Sequence, residues 1–466
     1  LYRQAVDVIE QQRATINTET SKIGFVGDKQ SVYQRLVAAL QANNQPGEAF
    51  EYVERSKSRA LVDMLATKKD FSLPPGQGRQ VQTLLAAYDR ADAEGRVQDE
   101  LQDSSRTRSI TVKTKQDLKD QAPELASLVQ VTSLSAREIQ ALIPPDETVI
   151  EYYYTDQDLF AFVLTSQKLA AVRMDLAGLI DDSRRFRKLL ESPGSAGVED
   201  ASRGLCRRLF QPLAKSVATG KLVIVPHGVL HYLPFNALHD GDGYMIDKYK
   251  IRVLPSAGVL RYLQTKKAAA AGNILALGNP DLGNPEYDLK YAQAEAVAVA
   301  KTLPQSRALL RKDATETAFR KYGGGFRYVH LATHGRFDAD APLKSSLMLT
   351  PDSESDGLLT VDKLYTMRLQ ADLVTLSACE TGLGKIAGGD DVVGLTRGFL
   401  YAGASSIVAS LWKVDDRATS DLMTRFYSAL QDRDKGAALR QAQLDTKNRY
   451  PHPFYWAAFQ LTGRAQ

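Results

Sequence analysis

Two reactive side chains stand out in this chain of 466 residues. Cys379 lies in Leu-Val-Thr-Leu-Ser-Ala-Cys-Glu-Thr-Gly, where an apolar run gives way to small residues, the thiol and then Gly382. His334 lies in Tyr-Val-His-Leu-Ala-Thr-His-Gly, which repeats the design and puts Gly335 after the imidazole. The two residues are 45 positions apart. A thiol is a nucleophile only as thiolate, and its reference pKa near ~8.5 calls for a neighbouring imidazole or cationic field. His334 would take that proton and later return it to a leaving group. The N–H groups of Gly335 and Cys379 are candidates for an oxyanion hole. Asp338 and Asp340 follow closely enough to orient the imidazole.

To work, both groups must reach one edge of one sheet. From about residue 272 the pattern alternates strand and helix, which predicts a mainly parallel sheet covered on both faces. Strands are expected at Ile274 to Leu277, Arg327 to Thr333, Asp372 to Ala378 and Ser406 to Leu411. Ligands in such sheets collect beyond the carboxyl ends of the strands. Asp281, His334, Cys379 and Trp412 all stand at such ends. Residues 149 to 254 read as a meander, two helical stretches and two more strands, a shorter sheet domain packed beside the first. The stretch 266–272 reads as a linker.

Residues 1 to about 130 read as helical. Ser31 to Asn44 and Glu48 to about Thr67 carry apolar residues at helical spacing and flank an Asn-Asn-Gln-Pro-Gly turn, making one αα-hairpin of a helical repeat. Ala5 to Thr18 is a partial second repeat, so further repeats are expected upstream. Pro74 to Gly78 closes the block, and residues 80 to 125 are polar. Ser135 and Glu138 have the spacing of a capping box. The domain reading is therefore 1–130 helical repeats and linker, 131–265 a first α/β half, and 266–466 a second.

The totals fit a multidomain protein without a nucleic-acid or membrane signature: net charge is +4, with 24% charged and 44% hydrophobic residues. Two cysteines in this length exclude a disulfide framework and point to a reducing, cytoplasmic setting. Cys206 reads as a packing residue on a helix. His227 and His231 lack a helical metal face, His330 reads as a core histidine, and no cofactor or metal is expected.

Several segments together resemble the CHAT family of caspase-like peptidases. They are Ser-Ala-Cys-Glu-Thr-Gly, the stretch Gly-Asp-Asp-Val-Val-Gly-Leu-Thr-Arg-Gly-Phe-Leu-Tyr-Ala-Gly-Ala, Val-His-Leu-Ala-Thr-His-Gly, Ser-Leu-Trp-Lys-Val-Asp-Asp and Pro-Phe-Tyr-Trp-Ala-Ala-Phe-Gln-Leu. Upstream, Leu-Val-Ile-Val-Pro-His-Gly-Val-Leu-His-Tyr-Leu-Pro-Phe-Asn-Ala-Leu is similar to the family's non-catalytic half. The resemblance covers roughly residues 146 to 466. It implies an α/β caspase-like sheet covered by helices, an adjoining non-catalytic α/β half and N-terminal tetratricopeptide-type repeats.

It also implies a cysteine endopeptidase with a Cys379–His334 dyad, a protein substrate and a regulatory partner on the repeats. Separase and other relatives of the clan favour a basic residue before the cut. The acids that could read it are Asp281, Glu380, Asp390 or Asp391, and Asp415, with Asp281 preferred and Trp412 as a pocket wall. Caspase motifs place glycine one residue closer to the cysteine than Ala378-Cys379-Glu380-Thr381-Gly382 does, so aspartate specificity does not carry over. Family members act in bacterial regulation and defence, including gasdermin activation. The alternative is a catalytically silent repeat scaffold.

Overall fold

A computed structural model describes residues 1–13, 29–57, 134–265, 272–336, 338, 342–377, 385–387 and 391–466. Cys379, Glu380, Gly382, Asp390 and Asp340 lie outside the described residues, as do the Pro74 to Gly78 stop, the polar stretch 80–125 and most of the 266–272 linker. The chain divides into two compact units. One is Leu1–Ile139 with Ala387–Asp391, and the other is Gln140–Ile386 with Val392–Gln466.

In the first unit, helices Gln30–Ala42 and Pro46–Ser56 form a hairpin, and the rest of the expected second helix, to about Thr67, lies outside the described residues. Asn44 turns the chain at φ 53, a left-handed conformation that asparagine tolerates, and Pro46 opens the second helix where a missing N–H costs nothing. The hairpin buries Leu36, Val37, Leu40, Phe50 and Val53. Helix Tyr2–Arg13 contributes Val6 and Ile9 and is tied on by Tyr33 Oη donating to Glu10 Oε1 at 2.5 Å. The capping box forms: Ser135 N–H donates to Glu138 Oε2 at 2.8 Å, and Glu138 N–H returns to Ser135 Oγ at 3.3 Å.

The second unit is built on one sheet of eleven strands. The strands of the first half are β1 (Glu147–Tyr154), β2 (Leu159–Leu164), β3 (Leu169–Met174), β4 (Lys221–Val225) and β5 (Lys250–Val253). Those that follow are β6 (Gly272–Pro280), β7 (Arg307–Arg311), β8 (Phe326–Ala332), β9 (His334–Arg336), β10 (Ser346–Met348), β11 (Leu358–Thr360) and β12 (Leu373–Leu376). β13 (Lys385–Ala387), β14 (Asp391–Val393), β15 (Ser406–Ser410) and β16 (Phe459–Gly463) complete the set. The sheet order is β3-β2-β1-β4-β5-β16-β15-β12-β8-β6-β7, while β9, β10 and β11 make a separate small sheet.

The strands of residues 147–253 and those of residues 272–463 are thus not two sheets set side by side. β16 pairs in parallel with β5 and antiparallel with β15, so the sheet is continuous. β15, β12, β8 and β6 run parallel to one another, so Ser410, Leu376, Ala332 and Pro280 end at a common edge.

Helices cover the sheet. Helix Lys290–Lys301 lies so close to β6 that a Cβ on Gly278 would stand 2.4 Å from Ala296 Cβ. Helix Asp416–Ala429 packs beside it, helix Lys435–Arg449 packs against that one, and together they bury Leu422, Met423, Phe426, Tyr427, Leu439 and Ala442. No helix among the described residues is long and apolar enough to cross a membrane.

Candidate active site

The two strands that lead to the candidate dyad are neighbours. β8 and β12 pair with His330 opposite Thr375 and Leu331 opposite Leu376. Ser377 extends the ladder, donating its N–H to Leu331 O at 2.9 Å. Cys379 follows two residues later in the sequence.

His334 does not finish β8, as its apolar run led us to expect. β8 stops at Ala332, and Thr333, outside the ladder, donates its Oγ1–H to Met348 O across to the small sheet. His334 then opens β9, opposite Met348, with Gly335 opposite Leu347. The imidazole is therefore carried by a small three-stranded sheet, half-exposed beyond the main sheet's edge.

The group that orients it comes from the loop after β6. His334 Nε2 is 3.0 Å from the main-chain oxygen of Tyr287, and the Tyr287 ring stands edge-on to the imidazole at 5.4 Å. A carbonyl only accepts, so Nε2 carries the proton and Nδ1 keeps its lone pair. Asp338, a candidate for orienting the ring, uses its main-chain N–H on Ser345 Oγ at 3.0 Å.

A polar cluster sets that loop. Asn279 is buried and holds a left-handed φ of 48, which its side chain compensates locally. Its Nδ2 donates to Asp288 Oδ1 at 2.7 Å, and its Oδ1 accepts from Leu289 N–H at 2.8 Å. Arg311 also donates to Asp288 Oδ1, at 2.7 Å. The Asn279 hydrogen bond, with Arg311 and Lys290 nearby, holds the Asp288 carboxyl below its ordinary range.

Asp281 starts this loop. Its Oδ1 accepts from Gly283 N–H at 3.2 Å and stands 3.8 Å from the Arg311 guanidinium. A substrate cation would share this carboxylate with Arg311. Asp415 caps helix Asp416–Ala429, accepting from Ala418 N–H at 2.8 Å. Its neighbour Asp416, a residue the sequence did not single out, lies within electrostatic reach of His334. Desolvation and the Asp415 and Glu295 carboxylates push the Asp416 carboxyl up, while Lys413 and His334 pull it back.

Trp412 is 1% exposed and donates its indole N–H to Phe454 O at 3.1 Å. Turning such a ring out to line a pocket would forfeit on the order of 4–6 kcal/mol of apolar burial, so here it serves the core.

Beneath the edge, His330 is fully buried and meets Glu295 Oε1 at 2.8 Å. Tyr427 lies edge-on to His330 at 5.4 Å and donates its hydroxyl to Thr375 Oγ1 at 2.9 Å. This cluster ties helices Lys290–Lys301 and Asp416–Ala429 to the strands β8 and β12. His227 packs against the rings of Tyr153 and Tyr154. Cys206 is buried, and burial pushes its thiol up to about 11, which makes it inert at neutral pH.

This fold and motif set belong to a known class. The chain is a member of the CHAT domain family, whose profile matches residues 199–464. It is 25% identical over 303 residues to Tetratricopeptide repeat protein 28 of Mus musculus and 26% identical over 304 residues to that of Homo sapiens. Each match covers 52% of this chain but only 12% of the relative's length. Among solved structures, the Saccharomyces cerevisiae separase–securin complex aligns with TM-score 0.47 and 11% identity, over 90% of this chain and 40% of that one. The Porphyromonas gingivalis RgpB pro- and mature-domain complex aligns with TM-score 0.38 and 12% identity, over 61% and 75%.

Proposed function

We propose that the chain is a cytoplasmic cysteine endopeptidase with Cys379 as nucleophile and His334 as acid–base partner. The observation that carries the reading is the imidazole of His334, held at Nε2 by Tyr287 O at 3.0 Å, beside the strand pair that runs on toward Cys379. CHAT membership supports it. His334 Nδ1 takes the thiol proton, and the thiolate attacks the scissile carbonyl. Gly335 and Cys379 N–H groups stabilise the oxyanion. The imidazolium protonates the departing amine, and water, deprotonated by His334, then releases the acyl group.

The substrate in this reading is a protein cut after a basic residue. Asp281 is the preferred pocket acid, with Glu380, Asp390 and Asp415 as alternatives. The N-terminal helices bind a regulatory protein partner, and bacterial signalling or defence, such as gasdermin activation, is a fitting setting.

A repeat scaffold without activity is the second reading. It is favoured by relatives named for their repeats. Labelling with a peptidyl electrophile bearing arginine or lysine separates the two. Wild type should label and Cys379→Ala should not; no labelling of wild type, with or without a partner, selects the scaffold. Proteomic mapping of N-termini made by wild type and absent with Cys379→Ala then identifies the substrate.

A further inference from the structure

A cleft of about 320 Å³ opens in the first half of the second unit, between helix Leu179–Leu190 and the turn Gly228–Tyr232. Val229, Tyr232 and Leu233 give it apolar walls. The helix lines it with Arg184, Arg187 and Lys188, against the single carboxylate of Glu191. The three basic residues are grouped because positions three and four apart share a helix face.

They are not equally committed. Arg187 is fully engaged: its Nε donates to Glu191 Oε1 at 2.7 Å, and its terminal nitrogens donate to Tyr232 O at 3.3 Å and to Leu411 O. Its guanidinium also stands 5.9 Å from the Trp412 ring. Lys188 is exposed and makes no ion pair among the described residues. Arg184 has only a loose contact with Asp181, at 3.7 Å. Ser183, 3% exposed, sits in the cleft wall, and its Oγ finds no hydrogen-bond partner. An apolar cleft rimmed by two uncommitted cations complements a small anion with a greasy body.

We propose that this cleft binds a free monocarboxylate with an alkyl or aryl body. Lys188 and Arg184 hold the carboxylate, and the body lies on Val229, Tyr232 and Leu233. At ~30 Å³ per water-sized group the cleft accommodates about ten non-hydrogen atoms, the size of octanoate. Glu191 disfavours a second negative charge, which selects a monoanion over a dianion. The proposal stands apart from the peptidase reading and does not require Cys379 or His334.

Octanoate is the probe. Saturation-transfer NMR and calorimetry on the whole chain should show octanoate binding with a Kd on the order of 0.1–1 mM. Octanoate should also raise the thermal midpoint. The pair Arg184→Glu and Lys188→Glu, at exposed positions that leave the fold intact, should weaken binding by about tenfold or more and remove the midpoint shift. Octylammonium, octanol and acetate should bind at least about tenfold more weakly than octanoate. Absence of octanoate binding, unchanged binding in the double variant, or equal binding of octanol or acetate would each overturn the proposal.

Discussion

The Nε2 of His334 rests 3.0 Å from the main-chain oxygen of Tyr287, so the loop after β6 fixes the ring that follows β8. The restraint is supplied by backbone, and its strength depends on the loop's conformation rather than on which side chain position 287 carries. The same contact selects the tautomer whose free lone pair is on Nδ1.

Removing the imidazole should therefore cost far more than removing the tyrosine ring. His334→Gln should lower kcat/KM on the mapped cleavage site by ~10²–10⁴, the usual worth of a positioned acid–base group. Tyr287→Ala keeps the carbonyl and should stay within about tenfold of wild type. Equal losses in the two variants would show that the ring, not the carbonyl, does the orienting.

Asn279 is the keystone of that loop. Asn279→Ala loses the bonds to Asp288 and Leu289 and leaves an alanine at φ 48. A destabilisation of about 2–4 kcal/mol is expected in denaturant melts. Asn279→Gly relieves only the backbone part and should fall between wild type and alanine.

Close approach of helix Lys290–Lys301 to β6 depends on Gly278. Gly278→Ala would set a Cβ 2.4 Å from Ala296 Cβ and 2.8 Å from Ala292 O, an overpacking worth about 1–3 kcal/mol. Adding Ala296→Gly removes the first clash but not the second, so stability should recover in part. Ala296→Gly itself costs about 1 kcal/mol of helix propensity, so recovery is measured against that single variant, and none on that scale would place the strain at Ala292 O and Leu310.

Acid should loosen the support under His334. Glu316 is 1% exposed, and its carboxylate accepts from Arg320 and Lys363 at 2.8 Å each and from Ser355. These links join helix Glu316–Tyr322 to the segment that frames β10 and β11. Desolvation alone would raise the Glu316 pKa, but bonds from Lys363, Ser355 and Arg320 outweigh it and hold the carboxyl below its ordinary value. The unfolded chain then binds the proton first, so this contribution is present above the ordinary glutamate range (~4.3) and lost as pH falls through the lower folded value. Glu316→Gln should cost about 1–3 kcal/mol at neutral pH, and its gap from wild type should close in acid. A gap that stays constant down to the acid transition would contradict this.

Long apolar runs made most of the sheet readable. β12 and β15 lie within the expected segments, β8 is offset from its segment by one residue and β6 extends beyond its own at both ends, because a strand buried on both faces must be apolar throughout while its ends are set by pairing. β7 was not readable: it is an edge strand with Arg307 and Arg311 at its ends. β9, β10 and β11 span three residues each, too short for alternation to register, and exist through one another.

The chemistry divides in the same way. His334 announces itself by side chain, whereas the oxygen that orients it could come from any residue and leaves no trace in the sequence. Trp412 at a strand end read as a pocket wall, and only its burial and the Phe454 carbonyl that accepts its indole N–H show it in the core of this structure.

The order in which the chain is made has a consequence for this sheet. β16, at Phe459–Gly463, is the strand between β5 and β15, and every other strand of the sheet precedes it in the sequence. During synthesis the two flanking sets of strands can each form, but they present open edges until the β16 segment emerges and seats between them. The two halves of the sheet therefore become one only once β16 has been made, because the strand that joins them is the last of the eleven to be supplied.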